Sequence, residues 1–237
     1  MRYKQLILDV DDTLIDTFAT EHDSLEMLFK SRGWRLTNDF EREFHAYNEG
    51  LWRRLEKGEL ELEELYQVMF PALVKKYCGV EVDGMDVANE FHDYFHNGHK
   101  LLPGAEETLR YAKRLGYHLA ILSNGEQFGQ EHRLRLAGVH DYFDLIVTSE
   151  EAGVQKPNPE IFDYFFSRSE FSPSETLFFG DGLSSDILGA AGYGFDSIWY
   201  NHRHRKNTLH LHPLFTVDNY AQFQRILKRD FAANALV

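Results

Sequence analysis

The chain has 237 residues, 43% of them hydrophobic, which suits one large domain or a domain with an inserted subdomain and lacks the composition of a disordered protein. Acidic residues outnumber basic residues by 38 to 25, and the formal net charge of -13 argues against binding to nucleic acid polymers. The single cysteine, Cys78, cannot form an intramolecular disulfide, which favours a reducing compartment. An apolar strand begins close to Met1 and no apolar run has membrane-spanning length, so we expect a cytoplasmic protein without a signal peptide or a membrane partner.

The first predicted element is a buried strand that ends in carboxylates. An apolar run at residues 6–8 is followed directly by Asp9-Val10-Asp11-Asp12-Thr13. Carboxylates cost several kcal/mol to bury unless they are paired or bind a metal. Because side chains alternate along a strand and the turn beyond it, Asp9 and Asp11 can project to the same side and form a site for a hard cation. The alternative is a polar strand end followed by a solvated turn.

The next stretch, residues 15–100, has the periodicity of amphipathic helices and no persuasive strand. Its apolar and aromatic residues recur at three- and four-residue spacing, which predicts the core of a helical bundle. The two clearest stripes are Phe18, His22, Leu25 and Phe29, and then Phe40, Phe44, Tyr47, Leu51 and Leu55. We therefore interpret residues 15–100 as a helical cap inserted into a second domain that consists of residues 1–14 and 101–237.

From Pro103-Gly104 onward, predicted helices and strands alternate. The strands are expected at residues 118–122, 145–147, 176–179 and 197–200, with a further candidate at 215–217 before a C-terminal helix. Such alternation implies a parallel sheet with helices on both faces. The sequence therefore predicts an α/β fold, with a Rossmann-like three-layer core and an inserted all-helical subdomain.

Polar residues follow each predicted central strand, and in an open parallel sheet ligands bind beyond the carboxyl ends of the strands. The residues are Asp9, Asp11 and Thr13 after the first strand, Ser123, Asn124 and Gly125 after the second, Lys156 after the third, and Asp181 and Asp186 after the fourth. Together they offer acids for a cation, a hydroxyl and amides for phosphate oxygens, and a lysine for the phosphate charge.

Each of these residues also has an ordinary structural reading. Ser123 is equally consistent with a turn residue, Lys156 with a solvated lysine, and Asp186 with an acid in the first turn of a helix. We interpret them as one site because independent accidents would not bring a complete phosphate-transfer set to one edge of the sheet.

These segments resemble the motifs of the haloacid dehalogenase (HAD) superfamily of aspartate-nucleophile phosphatases. Asp9-Val10-Asp11-Asp12-Thr13 is similar to the first motif, Ser123 to the second, Lys156-Pro157 to the third, and Gly180-Asp181 with Asp186 to the fourth. The helical stretch resembles the C1-type cap of the superfamily. Three longer stretches, 48–52, 149–157 and 185–189, resemble more narrowly its pyrimidine 5′-nucleotidase-like branch, whose members dephosphorylate nucleoside monophosphates.

The resemblance implies a Mg²⁺-dependent phosphomonoester hydrolase that forms an aspartyl-phosphate. Asp9 would be the nucleophile and Asp11 the general acid and base. Mg²⁺ would be held by Asp9, the backbone carbonyl of Asp11, and Asp181, with Asp186 orienting this shell either directly or through water.

The remaining motif residues would bind and position the phosphoryl group. The resemblance implies that Ser123, Asn124 and Gly125 bind its oxygens, that Lys156 offsets the charge of phosphate and nucleophile, and that Thr13 positions the nucleophile. The expected partner is a small phosphorylated metabolite, most simply a pyrimidine nucleoside monophosphate, acted on by a monomer or a dimer.

Other activities of the same superfamily remain open at this point. A phosphatase of sugar phosphates or other small phosphoesters, and a phosphomutase, would use the same residues. A 2-haloacid dehalogenase would lack the second aspartate of the first motif and need no metal, so Asp11 and Asp181 count against it. A binding protein without turnover would be expected to have lost a motif residue.

Three further features stand outside the roles given above. In the cap, Trp52, Arg53 and Arg54 are candidates for contacting a base or a second anionic group; the alternative is that Trp52 packs in the bundle and the arginines are solvated. Asp12 is expected to solvate the turn. The histidines between His202 and His212 match no zinc spacing and are expected in a solvated loop.

Overall fold

The computed structural model of the chain describes residues 2–233, which fall into two compact units. The sheet unit comprises Met1–Asp16 and His99–Val237, and the helical unit comprises Thr17–Gly98. The domain boundaries expected from the sequence lie two residues from these divisions. The assignment of the helical unit as a cap on the catalytic domain stays a prediction.

The helical unit contains five helices that surround an aromatic core. The buried face of the second helix runs through Phe40, Phe44, Asn48, Leu51 and Leu55, which is the spacing of one helix face. The helices are α1 (Thr17–Ser31), α2 (Asn38–Glu56), α3 (Leu62–Met69), α4 (Pro71–Cys78) and α5 (Gly84–Phe95).

Two of the predicted apolar stripes are partly wrong. Phe18 is 44% exposed and Tyr47 is 37% exposed, although both were expected in the core, and His22 is likewise partly exposed. The reason is that polar side chains occupy the buried positions instead: Glu21 on α1 and Asn48 on α2. Asn48 Nδ2 donates to Glu21 Oε1 at 2.7 Å, so the two buried side chains pair inside the unit.

The sheet unit is built on six parallel strands in the order β3-β2-β1-β4-β5-β6. Its centre is β1, where Ile7 lies between Ala120 of the second strand and Phe178 of the fourth. The strands are β1 (Gln5–Leu8), β2 (His118–Ser123), β3 (Leu145–Thr148), β4 (Thr176–Gly180), β5 (Ser197–Tyr200) and β6 (Phe215–Val217). The predicted parallel sheet and α/β Rossmann-like class are confirmed.

Helices cover both faces of this sheet because successive side chains of each strand point to opposite faces. Leu6 and Leu8 share a buried cluster with residues of α6 and α11, whereas Ile7 belongs to a second cluster with residues of α9 and α10. These helices are α6 (Ala105–Arg114), α7 (Gln127–Leu136), α8 (Ser149–Ala152), α9 (Pro159–Phe166), α10 (Leu188–Tyr193) and α11 (Tyr220–Ala233). None of the helices within residues 2–233 is long and apolar enough to cross a membrane.

Candidate active site

The candidate site lies where the central strands of the sheet unit end. Asp9 directly follows β1, and its backbone N–H donates to the carbonyl of Phe179 on β4 at 3.1 Å, so the strand pairing continues into the first motif. Ser123 is the last residue of β2, and Asp181 follows β4. Because these strands are parallel neighbours, their carboxyl ends bring the motifs together at one edge.

Three carboxylates converge at this edge. Asp9, Asp181 and Asp186 each offer one oxygen, and these oxygens lie within 4.8 Å of one another. Asp9 and Asp186 are almost fully buried. A compact set of carboxylate oxygens matches the donor chemistry that Mg²⁺ prefers, so the residues present fit this metal.

Lys156 is the buried counter-charge of the site. Its Nζ donates to Asp9 Oδ1 at 2.8 Å, to Asp186 Oδ1 at 2.8 Å and to the carbonyl of Leu122 on β2 at 2.7 Å. Asn124 fixes the backbone of this lysine: its Oδ1 accepts from Lys156 N at 2.8 Å and its Nδ2 donates to the Lys156 carbonyl at 3.0 Å. The predicted site residues Asp9, Lys156 and Asp186 therefore form one ion-pair cluster, with Asn124 behind it.

The second oxygen of Asp186 is also engaged, because Oδ2 accepts from the backbone of Gly182 at 2.9 Å. The chain around it leaves no room for larger residues: a Cβ at Gly180 would lie 2.2 Å from Asp186 Oδ2. Glycine at position 180 thus allows Asp186 to fold back against the end of β4, in the π-helical turn Leu183–Ile187 that precedes α10. With both oxygens bonded within the protein, Asp186 suits an orienting role.

Thr13 connects the first motif with the fourth. Its Oγ1 accepts from the backbone N–H of Asp181 at 3.0 Å, and its carbonyl accepts from the hydroxyl of Tyr220 on α11. The carbonyl of Asp181 in turn accepts from Trp199 Nε1 on β5 at 2.9 Å. Thr13 therefore supports Asp181, whereas the sequence prediction had it position Asp9.

Burial and crowding alter the acidities in the cluster. Burial raises the pKa of the Asp9 carboxyl from 3.8 to about 7, an effect that Lys156 opposes and the nearby Asp186 and Asp11 reinforce. Burial also raises the pKa of Asp181 well above its usual value, with Asp12 adding to the effect and Arg205 opposing it. Burial alone would lower the pKa of Lys156, but Asp186 and Asp9 outweigh burial and hold it above its usual value.

Two residues of α7, Gln130 and Arg133, hold Asp11, and the sequence analysis missed both. Arg133 Nη1 donates to Asp11 Oδ1 at 2.7 Å, and Gln130 Nε2 donates to Asp11 Oδ2 at 2.6 Å. Gln130 Nε2 also lies 3.0 Å from Ser123 Oγ, so it links the second motif to the first. Gly125 makes this possible, because a Cβ there would lie 2.2 Å from Gln130 Nε2. A sequence feature that could have identified them is that two polar residues, three positions apart, lie on the buried face of the helix that follows Ser123.

Asp12 is held by the basic loop that follows β5, so the prediction that it merely solvates the turn is wrong. Arg203 Nη2 donates to Asp12 Oδ1 at 2.6 Å, and His202 Nε2 donates to the Asp12 carbonyl at 3.1 Å. Arg205 Nη1 donates to Asp181 Oδ2 at 3.3 Å. His204, His210 and His212 are exposed, as expected for a solvated loop, but His202, Arg203 and Arg205 contact the site.

The candidates in the helical unit behave differently from one another. Trp52 is partly buried against the core of that unit, and Arg53 pairs with Glu49 one turn away at 3.0 Å. Arg54 is exposed. These positions agree with the structural alternative given above, and a role for Trp52 in substrate binding stays a prediction.

Comparisons with known proteins confirm the family that the sequence motifs indicate. The sequence model of the haloacid dehalogenase-like hydrolase family matches residues 3–194. A Bacillus subtilis (strain 168) protein named as a HAD-hydrolase, YfnB, is 35% identical over 227 residues, which are 95% of this chain and 96% of that protein. The crystal structure of YfnB bound to magnesium is similar to this chain with a TM-score of 0.91. The match covers 96% of this chain and 99% of the YfnB chain.

Two further relatives are named as pyrimidine 5′-nucleotidases. PynA of Streptococcus pneumoniae is 32% identical over 221 residues, which are 93% of each chain. YjjG of Escherichia coli is 30% identical over 230 residues, which are 96% of this chain and 99% of that protein. The similarity in both cases extends over both units of the chain.

We expect the raised pKa of Asp9 to appear as a pH-dependent loss of stability in metal-free protein. Between about pH 4 and pH 7 the folded chain keeps the Asp9 proton that the unfolded chain has released, so Asp9 lowers the unfolding free energy as pH rises, by at most about 1.4 kcal/mol per unit. Above pH 7 this contribution is constant. Asp9→Asn carries no titrating proton and lacks this slope.

The measurement is urea unfolding of both proteins in EDTA at pH 5, 6, 7 and 8. The unfolding free energy of the unsubstituted protein minus that of Asp9→Asn should fall from pH 5 to 7 and then level. Asp141→Asn, which removes a fully exposed carboxylate, is the control. A difference in unfolding free energy that does not vary with pH would contradict a raised pKa of Asp9.

Proposed function

This chain belongs to the haloacid dehalogenase-like hydrolase family, and from that membership and the geometry of the site we propose that it is a Mg²⁺-dependent pyrimidine 5′-nucleotidase. The family and the named relatives support a phosphoesterase in general, and the similarity to two pyrimidine 5′-nucleotidases supports the narrower substrate class. The observation that carries the proposal is the convergence of Asp9, Asp181 and Asp186 around the buried Lys156.

Asp9 is the proposed nucleophile. One of its oxygens attacks phosphorus, the bond between phosphorus and the ester oxygen breaks, and an aspartyl-phosphate results. Lys156 contacts Asp9 at 2.8 Å and keeps its carboxylate fixed and charge-balanced at the carboxyl end of β1. Water then cleaves the aspartyl-phosphate and restores the Asp9 carboxylate.

Asp11 is the proposed proton carrier. It protonates the departing alcohol and later accepts the proton of the attacking water. Arg133 and Gln130 each bond one of its oxygens, so its carboxyl group is fixed at both atoms. When the proton leaves, negative charge forms on Asp11 within 2.7 Å of the Arg133 guanidinium, which stabilises that charge and favours proton donation.

The phosphoryl oxygens are bound by Ser123, by the backbone of Asn124 and Gly125, and by Lys156. Asp9, the carbonyl of Asp11, and Asp181 would hold Mg²⁺, and Asp186 would orient them. When bound, Mg²⁺ would neutralise the negative charge that develops on the phosphoryl oxygens. The chain's own contribution is to fix these groups at adjacent strand ends, since phosphoryl transfer depends chiefly on positioning and charge.

A phosphatase of sugar phosphates is the second candidate, because the same residues of the sheet unit would serve it. We expect the preference between nucleotides and sugar phosphates to be set by the helical unit, which contains Trp52 and the polar residues of α1 and α2. A phosphomutase would share the chemistry as well. Asp11 and Asp181 both count against a haloacid dehalogenase.

The first test of the proposed chemistry is Asp9→Asn. We expect this variant to fold but to lose phosphatase activity to at most about one-thousandth of the original kcat, because an amide is not a nucleophile for phosphorus. EDTA should abolish the activity of the unsubstituted enzyme, and added Mg²⁺ should restore it. Circular dichroism checks the fold, and substantial Mg²⁺-dependent turnover by Asp9→Asn would refute the mechanism.

The substrate class is tested by phosphate release from a panel with Mg²⁺. The panel comprises pyrimidine and purine 5′-monophosphates, sugar phosphates and small acyl phosphates. We expect the highest kcat/KM with pyrimidine 5′-monophosphates. A strong preference for sugar phosphates would refute the nucleotidase assignment and leave the aspartyl-phosphate mechanism intact.

The role of Arg133 is tested by comparing leaving groups. A nucleotide must release a poorly acidic alcohol that needs protonation, whereas p-nitrophenyl phosphate releases a stable phenolate that does not. We expect Arg133→Gln to lower kcat/KM for the nucleotide about a hundredfold, and for p-nitrophenyl phosphate by much less. Arg135→Gln, on the exposed side of α7, is the matched control. Equal losses with both esters would show that Arg133 does not act through proton donation.

A further inference from the structure

The basic loop after β5 makes contacts that the proposed reaction does not use. Its residues Arg203 and Arg205 point to Asp12, the acid that lies between Asp11 and Thr13 in the first motif. Asp12 has a positive φ of 54°, a conformation that aspartate tolerates better than most residues. Arg203 occupies Asp12 Oδ1 at 2.6 Å, so the other oxygen, Oδ2, is the one that faces Arg205.

Arg205 lies between two carboxylates of the site. Its Nη1 is 3.3 Å from Asp181 Oδ2, and its Nη2 is 3.9 Å from Asp12 Oδ2. The loop is closed behind it by Asn201, whose Oδ1 accepts from Arg205 N at 2.7 Å and whose Nδ2 donates to the Arg205 carbonyl at 3.0 Å. The guanidinium is therefore aimed at this pair of acids by a fixed backbone.

The charges around Asp181 indicate a role for its contact with Arg205. Asp181 stands near Asp9, Asp12 and Asp186, whereas Lys156 pairs with Asp9 and Asp186. Arg205 supplies a positive charge next to Asp181. Asp181 is also a proposed metal ligand, so a guanidinium and a divalent cation would compete for the same carboxylate.

We propose that Arg205 is an internal counter-cation that sets the metal affinity of the site. It neutralises Asp181 while the site is metal-free, and it shifts its pairing to Asp12 when Asp181 binds Mg²⁺. This inference rests on the proposed function, in that it takes Asp181 as a metal ligand. Arg205 is a positioning residue, because it acts on the reaction only through Asp181.

An arginine suits this role better than a lysine. Its planar fork carries several donors, and two of them point here to two different acids, so the side chain can release one partner and keep the other. Asp12 supplies the second partner. The same arrangement explains why an additional acid, Asp12, stands inside a motif that already contains Asp9 and Asp11.

The direct test is the Mg²⁺ affinity of the metal-free full-length protein in the absence of substrate. The dissociation constant is obtained from the unfolding temperature as a function of Mg²⁺ concentration. We expect Arg205→Gln to bind Mg²⁺ about three- to tenfold more tightly, because a competing and partly exposed cation is removed. Arg205→Lys keeps the charge and should lie between the two.

Arg203→Gln is the matched control, since Arg203 belongs to the same loop and its Nη2 pairs with Asp12 Oδ1 at 2.6 Å. It should change the Mg²⁺ affinity much less than Arg205→Gln. In EDTA, Arg205→Gln should also unfold at a lower temperature than the unsubstituted protein, because Asp181 loses its partner, and saturating Mg²⁺ should narrow that gap.

The outcomes separate the inference from the proposed function. Unchanged or weaker Mg²⁺ binding by Arg205→Gln would overturn the inference, as would equal tightening by Arg203→Gln. If the gap in unfolding temperature stays the same with Mg²⁺, Arg205 is structural only and the inference fails. If the unsubstituted protein itself binds no Mg²⁺, the proposed metal dependence fails and this inference fails with it.

Discussion

The site depends on one buried ammonium group. Lys156 has three protons, and they meet three acceptors: Asp9 after β1, Asp186 after β4 and the Leu122 carbonyl on β2. The same contacts therefore offset part of the charge of two carboxylates, satisfy every donor of the lysine and tie three neighbouring strand ends together. Without a cation at this position two carboxylates would be buried unpaired, which costs about 3–5 kcal/mol in comparable buried pairs.

The other two carboxylates, Asp12 and Asp181, are paired with arginines at different distances, and this difference favours a metal at Asp181. Arg203 pairs closely with Asp12, at 2.6 Å, whereas Arg205 approaches Asp181 only to 3.3 Å and is partly exposed. Of these two carboxylates, Asp181 thus has the less closely compensated negative charge. A divalent cation gains most there, because the acceptors are hard oxygens in a low-dielectric surrounding.

The meeting of the motifs at the strand ends could be predicted from the sequence because it follows from the topology of a parallel sheet. Once the alternating helices and strands imply a parallel sheet, the motifs after β1, β2 and β4 must meet, and the family assignment made from those motifs is confirmed. The contacts of Arg133 and Arg203 could not be predicted in this way. These side chains reach Asp11 and Asp12 across 122 and 191 positions of the chain, and periodicity tells which face a residue lies on but not what it meets. The apolar stripes failed for a related reason, since Asn48 is buried by pairing with Glu21 and a hydrophobic pattern does not register such pairs.

The proposed Mg²⁺ site would couple metal binding to folding. The folded chain keeps Asp9 and Asp181 buried close together, whereas the unfolded chain leaves them in water, so burial, reinforced by the crowding of carboxylates, lowers the stability of the metal-free fold. A cation that binds only the folded state raises the unfolding free energy, and this gain grows with the logarithm of its concentration relative to its dissociation constant. Lys156 limits the loss that crowding causes, and Arg205 reduces it further at the cost of weaker metal binding. The proposed site is therefore a compromise between a fold that survives without metal and a cluster acidic enough to bind Mg²⁺.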